Sequence, residues 1–508
     1  MKKNVLSLAC GLLMAAQAMA VSVNNVCGKF DGNLNVNGDE MTSEVYVLPG
    51  TVDNTITFVL PDFHYLGGSL GDIVLVNIPM DENGALTLQH RPFYINASSL
   101  KVRADISCTT VEEAGEIYSS VLSESNVMVL LEIAAPATLP EPIMVLFVGE
   151  KQDGANYTMP NLNFEAAFSN YDTEGWHSFT KATGSFTSFL SDSKKQFVAV
   201  TNGAQHGGNQ SACITTSFPA GVKGNGNMTN CQINAGSMTA DDATGNYNFS
   251  DPAGAYNTPF VGNPDSIVFW AKYVPAKAEP ANASDSQKNL ARMHAVITNN
   301  TRYQDPETTT AHANAKVAET EINYPPTNGW QRFSLPFNYL RDASEAAYIY
   351  ITFSTNWKAG GGNAYTTGVI SKKYFRDSCY IDEIEFIYNR DLTSLTFEGQ
   401  NITGNVWSTS KTYSDELYTI EATPSSKGKA FVGYYPDDNC AVVYSIGQNY
   451  VNNPANYSVR KIHMAPASTT DISNTSDEAV KAIKFFRNGQ LYIRRGNQTY
   501  NIQGIRVK

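Results

Sequence analysis

Apolar residues recur mostly at every second position along this chain, in short runs separated by polar turns. Because successive side chains of a strand point to opposite faces, a period of two predicts β-strands. Long runs with the helical period of 3.6 residues are scarce. The pattern therefore predicts an all-β protein.

Residues 21–158 show the alternation most clearly. Their runs are short, lie at hairpin spacing and are separated by turn dipeptides such as Pro49-Gly50 and Asn83-Gly84. Such a series predicts a meander that closes into a β-barrel. The predicted strands are 44–48, 55–60, 73–78, 85–88, 127–133 and 143–148. The barrel interior could hold a small apolar ligand or be filled by its own side chains.

Residues 159–390 carry longer strands with longer polar connections, which is typical of a two-sheet jelly roll. The segment opens on Asn163-Phe164-Glu165 and closes on Tyr380-Ile381-Asp382, which we interpret as first and last strands that meet. The strands between them are predicted at 197–200, 212–216, 266–273, 291–297, 329–337 and 347–353, and the last strand at 380–388.

Three segments follow the predicted jelly roll. Residues 391–465 predict a small β unit, and the Ser- and Thr-rich residues 466–480 predict a linker. Residues 481–508 carry seven Lys and Arg residues and no acid, with turn signals at Asn488-Gly489 and Gly496-Asn497, so we expect a basic β-hairpin.

Residues 1–20 have the pattern of a secretory signal: Lys2 and Lys3, then an apolar stretch too short to span a bilayer, then Ala18-Met19-Ala20. The alternative is a lipoprotein modified at Cys10. No later run is long and apolar enough for a membrane-spanning helix. We therefore expect an exported protein at the cell surface, in the outer envelope or in the extracellular space.

The net charge indicates which partners the chain disfavours, and the cysteine spacing indicates which disulfides it can form. A net charge of −12 argues against nucleic acid and anionic membranes. Six cysteines follow residue 20, none in a CxxC spacing. Cys213 and Cys231 bracket a Gly- and Asn-rich loop and are the predicted disulfide, and the alternative is six reduced thiols packed as small apolar groups.

Several motifs resemble domains of exported Bacteroidota proteins. The order of a Pro-Gly turn followed by Ile56-Thr-Phe-Val-Leu-Pro-Asp-Phe63 resembles calycin-like domains. Asn163-Phe164-Glu165, the 266–273 strand, Trp330-Gln-Arg-Phe333 and Tyr380-Ile381-Asp382 resemble the "putative carbohydrate metabolism" domain and jelly-roll carbohydrate-binding modules. The ending Tyr500-Asn-x-x-Gly-x-x-Val507 resembles a secretion-type sorting tail, which implies contact with envelope or secretion machinery.

The jelly-roll resemblance implies a structural calcium, because an acid of the first strand and an Asp of the last strand often hold one in that group. Glu165 and Asp382 stand at the matching places. Carboxylate oxygens are suitable ligands for this hard cation. The alternative is that both are solvated acids on edge strands.

Four residues are the predicted glycan-binding groups. Sugars stack their C–H faces on exposed aromatic rings, and their hydroxyls hydrogen-bond to polar side chains. Trp176 and Trp357 lie near loops, and Tyr303 follows Arg302 in another. Trp270 and Trp330 stand in strand patterns and are interpreted as core residues instead.

No catalytic motif is present: the chain has no G-x-S-x-G, no HExxH and no phosphate-binding loop. No catalytic residue is therefore assigned. The sequence favours a non-catalytic glycan-binding protein. A glycoside hydrolase on the same sandwich and a structural or adhesive surface protein are the alternatives.

Overall fold

A computed structural model describes residues 21–507 except for 66–67, 98–99, 114–115, 136–140, 153–158, 220–223, 240–241, 277–288, 360–375, 414–417, 426, 467–481, 488–489, 496–497 and 502–505. Strands make up 53% of the structure and helices 8%, which confirms the all-β prediction. The predicted signal segment and nearly all of the predicted linker lie outside the described residues and stay predictions.

Helices are short. The two α-helices are α1 (Val23–Val26) and α2 (Thr310–Ala315). The 3-10 helices are Phe179–Lys181, Thr187–Phe189, Ser193–Lys195, Ala343–Glu345, Pro436–Asp438 and Gln448–Val451. No helix of the described chain has both the length and the apolar character needed to cross a membrane.

The N-terminal unit is one curled antiparallel sheet with two small hairpins outside it. Its strands are β1 (Gly28–Val36), β2 (Asp39–Pro49), β3 (Thr55–Leu60), β4 (His64–Tyr65), β5 (Gly68–Ser69), β6 (Ile73–Pro79), β7 (Arg91–Ala97), β8 (Leu100–Cys108), β9 (Val111–Glu113), β10 (Glu116–Tyr118), β11 (Val121–Leu122), β12 (Asn126–Ala134) and β13 (Ile143–Lys151). The main sheet runs β6-β3-β2-β1-β13-β12-β8-β7, with β11 beside β12, and the two hairpins are β4-β5 and β9-β10.

The curl is a half-barrel whose edge strands β6 and β7 approach each other without a described ladder. The Arg91 guanidinium on β7 donates to the Val76 carbonyl on β6 across that gap. Side chains fill the interior, among them Phe30, Phe58 and Phe147. This agrees with the packed-core alternative rather than with a ligand-filled barrel.

The central unit is a sandwich of two five-stranded sheets. Its strands are β14 (Phe197–Val200), β15 (Ser211–Thr215), β16 (Asn227–Thr229), β17 (Gln232–Ala235), β18 (Asn246–Ser250), β19 (Ser266–Val274), β20 (Ala291–Thr298), β21 (Tyr303–Asp305), β22 (Lys316–Tyr324), β23 (Gln331–Pro336), β24 (Asn338–Tyr339), β25 (Tyr348–Ser354) and β26 (Ser378–Ile387). Sheet A is β14-β15-β26-β19-β23, and sheet B is β16-β25-β20-β22-β24.

Apolar alternation places one continuous core between sheets A and B. Ile267, Phe269 and Ala271 of β19 face Met293 and Ala295 of β20 within it. A third sheet, β17-β18-β21, lies on the outer side of sheet B, where Asn248 Nδ2 donates to Thr352 Oγ1 at 2.7 Å. The third sheet therefore covers the outer side of sheet B and not the outer side of sheet A.

The predicted first strand of this unit is a turn. Asn161 and Phe164 both have φ of 54°, in the left-handed region and outside the extended range of a regular strand, and these residues belong to no assigned strand. The segment still meets the last strand, because the Ile384 N–H donates to the Leu162 carbonyl at 2.9 Å. Only the strand assignment of Asn163-Phe164-Glu165 is wrong.

The C-terminal unit packs on the outer face of the N-terminal sheet. Its strands are β27 (Leu392–Phe397), β28 (Gln400–Asn401), β29 (Val406–Thr412), β30 (Ile420–Pro424), β31 (Lys429–Tyr435), β32 (Cys440–Ile446) and β33 (Tyr457–Ala465). Tyr444 and Tyr450 of this unit share a core with Leu48 and Val76 of the N-terminal unit. The Tyr450 hydroxyl donates to the Val47 carbonyl at 2.7 Å.

An ion cluster supports the same contact at its edge. Glu44 of the N-terminal unit accepts from Lys29 at 2.8 Å and from Lys429 of the C-terminal unit at 2.5 Å. Burial alone would raise the pKa of Glu44, but the two lysine contacts outweigh it and lower the pKa to about 2. Glu44 is therefore charged at neutral pH.

The tail forms a four-stranded antiparallel sheet: β34 (Ala482–Arg487), β35 (Gln490–Arg495), β36 (Gln498–Asn501) and β37 (Arg506–Val507). The sequence predicts a β-hairpin for this segment, and the structure has two further short strands. The role of the segment as a sorting tail stays a prediction.

The predicted Cys213–Cys231 disulfide is not formed. Cys213 lies on the outer side of sheet A, because its neighbours Ala212 and Ile214 enter the sandwich core. Cys231 packs with Val296 and Tyr350 on the outer side of sheet B. Packed sheets lie about 10 Å apart, beyond the reach of a disulfide. Both thiols are free, as in the alternative of reduced cysteines, and burial raises the pKa of each to about 12.

Candidate functional site

The outer side of sheet A carries a group of aromatic rings. Strand alternation puts Phe269 and Ala271 into the core and Trp270 and Lys272 on the opposite face. The register sets Trp270 between Asp382 on β26 and Arg332 on β23, and sets Lys272 beside Tyr380. We call His206, Trp270, Trp330 and Tyr380 the aromatic face.

The four rings contact one another directly. The His206 ring stacks on Trp270 with centroids 4.0 Å apart and planes at 23°. Trp330 lies 5.5 Å from His206 and 6.3 Å from Tyr380. The Lys272 ammonium lies 4.2 Å from the Tyr380 centroid and 5.6 Å from the Trp330 centroid, a cation–π contact that holds both rings. All four rings are half-buried, so part of each ring remains accessible.

A loop between β14 and β15 completes the face, and two carboxylates hold that loop. Glu165 accepts from the Asn209 N–H at 2.9 Å, from Asn209 Nδ2 at 2.9 Å and from the Gln210 N–H at 3.3 Å. Asp382 Oδ2 accepts from the Gly207 N–H at 3.1 Å and from Ser211 Oγ at 2.6 Å. We call these contacts the loop clamp.

The clamp positions His206 through Ser211. The His206 N–H donates to Ser211 Oγ at 3.0 Å, and that hydroxyl donates in turn to Asp382. His206 Nδ1 lies 2.9 Å from Glu383 Oε2. Trp330 Nε1 donates to the Ala204 carbonyl of the same loop at 3.3 Å. The Glu383 carboxylate therefore neighbours the imidazole over Trp270, and the other two contacts hold the loop that carries His206.

Glycine is required where the loop meets Glu165. Gly208 has φ of +54°, and a Cβ there would stand 2.0 Å from Glu165 Oε1. The short Gly207-Gly208 pair therefore allows the backbone N–H groups to approach the carboxylates closely.

A groove of about 430 Å³ borders the aromatic face. Trp270 forms its ring-bearing wall, and Arg332, Glu383 and Glu385 are its exposed charged residues. Leu162, Asn163, Val268 and Ile384 complete the lining. The groove thus combines an aromatic wall with hydrogen-bonding groups of both charges.

Burial affects the two clamp carboxylates differently. Burial raises the pKa of Asp382, and the donors Ser211 and Gly207 offset part of this rise. The Asn209 side chain and backbone donors lower the pKa of the half-buried Glu165 carboxyl. Both shifts follow from the surroundings that the loop provides.

The donor set around Glu165 and Asp382 fits a hydrogen-bonded clamp better than a calcium site. All four carboxylate oxygens accept from N–H or O–H groups, since Asp382 Oδ1 takes the Glu383 N–H at 2.9 Å. Those donors present positive partial charge where a cation would stand. The calcium expected from the resemblance stays untested at this position, and the hydrogen bonds favour the alternative without a metal.

Trp176 is a core residue and not an accessible ring. Its side chain is fully buried, packs 5.3 Å from Phe164 and 6.3 Å from Phe353, and donates from Nε1 to the Asn161 carbonyl at 3.2 Å. With no exposed ring face it cannot stack on a sugar in this structure. It anchors the turn that carries Glu165.

The other three predicted binding residues do not join the aromatic face. Tyr303 is fully buried, in a cluster with Tyr350 on the outer side of sheet B. Arg302 is exposed on the covering sheet, with its guanidinium 4.5 Å from the Phe249 centroid. Both are separated from Trp270 by the whole sandwich. Trp357 is half-buried beyond the end of β25.

Tyr303 packs beside a buried charge network between sheet B and its covering sheet. Arg292 donates to Asp305 at 2.7 Å, His294 Nδ1 lies 3.2 Å from the same carboxylate, and the Tyr350 hydroxyl donates to it at 3.0 Å. Burial would raise the pKa of Asp305, but Arg292 and His294 outweigh it and hold that pKa well below its ordinary value. The network holds the covering sheet in place.

Sequence reasoning missed the rings of the aromatic face. Trp270 and Trp330 were expected in the core, yet both are half-buried on the outer side of sheet A. Lys272, two residues after Trp270, and Arg332, two residues after Trp330, were the available signal, because residues two apart on a strand share a face. His206 had no such signal, since only the folded loop brings it onto Trp270.

Comparison with known proteins gives structural neighbours, two of which have low similarity to this chain. No family model and no curated protein matches the chain. A crystal structure of a "putative glycoside hydrolase" from Bacteroides thetaiotaomicron is 14% identical with a TM-score of 0.31, over 68% of this chain and 97% of that one. Another, from Bacteroides vulgatus, is 15% identical with a TM-score of 0.28, over 55% and 94%. Similarity at this level assigns neither a function nor a site to this chain.

We expect Asp305→Asn to lower the free energy of unfolding by about 3 kcal/mol at neutral pH, because Arg292 loses its buried carboxylate partner and keeps only the more exposed Glu321 carboxylate beside it. Since folding holds the Asp305 pKa below its ordinary value of about 3.9, the wild-type advantage should be present above that pH and shrink as the pH falls below it. Urea unfolding at pH 7 and pH 3 measures both effects. The matched Asp251→Asn change, at the half-buried partner of the exposed Arg302, should cost less than about 1 kcal/mol. Equal losses for the two variants would contradict the account.

We expect millimolar Ca²⁺ to leave the Tm of EDTA-dialysed protein unchanged, because protein donors already satisfy the clamp oxygens. Differential scanning calorimetry checks this, since a ligand that binds only the folded state raises Tm. A rise that Asp382→Asn abolishes would instead establish the calcium site.

Proposed function

We propose that this protein binds a glycan on the outer side of sheet A, without cleaving it. The observation that carries the proposal is the groove walled by Trp270, next to three further half-buried rings and flanked by exposed Arg332, Glu383 and Glu385. Solvent-accessible indole on a flat sheet face, with charged groups at its edge, is the chemistry that sugars require.

The rings and the charged groups have separate roles in this proposal. The C–H face of a pyranose stacks on the accessible part of Trp270 or Trp330, where the apolar contact replaces water. Arg332 donates to sugar hydroxyls, and Glu383 and Glu385 accept from them. Because the loop clamp and the sheet already hold the rings, little side-chain order is lost on binding.

Hydrolysis is the second candidate, and one observation favours it. Glu383 and Glu385 line the same groove, and His206 Nδ1 stands 2.9 Å from Glu383 Oε2. A glycosidase needs two carboxyl groups on either side of the scissile bond. Release of new reducing ends therefore has to be measured together with binding.

We also propose that the protein is exported and acts at the cell surface or beyond it. The signal-like pattern of residues 1–20 and the resemblance of the last residues to a sorting tail support this.

We expect Trp270→Ala or Trp330→Ala to weaken glycan binding by about tenfold, because a stacked ring contributes about 0.5–1.5 kcal/mol beyond the area it buries. A glycan array with the full chain selects the ligand, and calorimetry on the variants measures the loss. Arg302→Ala is the matched control on the other side of the sandwich and should bind like wild type.

Three results would contradict the proposal. They are no binding to any glycan by the folded wild-type chain, loss of binding in Arg302→Ala alone, and release of reducing ends that Glu383→Gln abolishes. The last result would replace binding with hydrolysis at the same groove. Melting curves confirm that each variant is folded.

A further inference from the structure

A second cluster of side chains lies in the C-terminal unit, away from the aromatic face. Asp438, Cys440 and His463 place one carboxylate oxygen, one sulfur and one ring nitrogen within 4.8 Å of one another. Cys440 Sγ lies 3.9 Å from Asp438 Oδ2. Within the residues that the structure describes, no other group of three His, Cys, Asp or Glu side chains meets that distance.

Backbone pairing places these side chains on a rigid support. Cys440 on β32 and His463 on β33 are direct partners in the antiparallel register, so their side chains emerge on the same face. Asp438 reaches that face because Asn439 turns the chain in the left-handed region, with φ of 46°. The Met464 N–H fastens this turn by donating to the Asn439 carbonyl at 2.9 Å.

The spacing suits a small tetrahedral ion. Zinc bonds of about 2.0 Å to nitrogen or oxygen and about 2.3 Å to sulfur give ligand–ligand separations of about 3.3–3.8 Å in a tetrahedron. The ligand atoms here lie within 4.8 Å of one another. Small rotations of the Asp438 and His463 side chains would shorten these distances to the tetrahedral values. Three protein ligands leave the fourth position to water.

The ligand types select the class of metal. A thiolate and an imidazole favour zinc and related borderline ions, whereas calcium and magnesium require oxygen ligands only. Cys440 is fully buried among apolar neighbours such as Val442 and Tyr444, at the border with the N-terminal sheet. Asp438 keeps 48% of its side chain exposed, which provides a path for entry from solvent.

One neighbour opposes a cation. Lys461 Nζ lies 3.9 Å from Asp438 Oδ2, so its charge competes for the carboxylate that the metal would use. Removing that charge should therefore strengthen metal binding, an effect that a purely structural cluster would not show.

We propose that Asp438, Cys440 and His463 form a three-ligand site for a zinc-class divalent ion. The site is independent of the proposed glycan groove. Its occupant ties the turn after β31 to the end of β33, at the point where the C-terminal sheet meets the N-terminal one.

Cobalt(II) tests the proposal because it replaces zinc and reports its own ligands. We expect one equivalent of Co²⁺ added to the reduced, EDTA-dialysed full chain to give a thiolate-to-cobalt charge-transfer band and intense visible bands of a tetrahedral ion. Zn²⁺ should displace the cobalt and raise Tm. Lys461→Gln should bind cobalt several-fold more tightly than wild type.

Variants separate ligation from folding. Cys440→Ser should lose the charge-transfer band, while Cys213→Ser, at another buried thiol, should keep it. If Cys440→Ser does not fold, the half-buried His463→Gln carries the test through loss of the tetrahedral bands. A folded wild-type chain without the bands, or bands that persist in both ligand variants, would overturn the proposal.

Discussion

The loop clamp is the interaction on which the proposed site depends. Glu165 and Asp382 come from opposite ends of the central unit, and each accepts hydrogen bonds from the loop between β14 and β15. Those contacts bring His206 onto Trp270 and the Ala204 carbonyl onto Trp330. Without the clamp the two indoles would remain on the sheet, but the loop that supports them would have no fixed position.

The clamp also shows how hydrogen-bond donors can compensate a buried carboxylate. Asp382 is almost fully buried, which disfavours its charged form, and backbone and hydroxyl donors offset part of that cost. On the other side of the sandwich Asp305 is equally buried and is compensated by Arg292 and His294 instead. The same sandwich therefore uses neutral donors beside the groove and full charges under the covering sheet.

The sequence predicted the strands well and the site poorly, for a physical reason. Alternation locates a strand and divides its residues between two faces, and β19, β20, β25 and β26 all begin and end close to the predicted positions. Alternation does not say which face enters the core. Residues 267–273 are apolar or aromatic on both faces apart from Lys272, so Trp270 could be assigned to either one.

Loop residues were harder to assign to the core or to the surface, because a residue near a turn can still be buried. Trp176 follows a glycine turn, yet the chain folds back and buries it between Phe164 and Phe353. Glu165 and Asp382 hold the loop, whereas the calcium that the resemblance implies for them stays a prediction. Contacts between residues more than 150 positions apart, such as Ser211 with Asp382, are outside the reach of local patterns.

The most direct test of the account is a crystal structure of the full chain with the glycan that an array selects. The account predicts sugar density against Trp270 or Trp330 in the groove beside Arg332, with His206 still stacked on Trp270. Density on the covering sheet near Arg302, or in the half-barrel, with the aromatic face empty would contradict it.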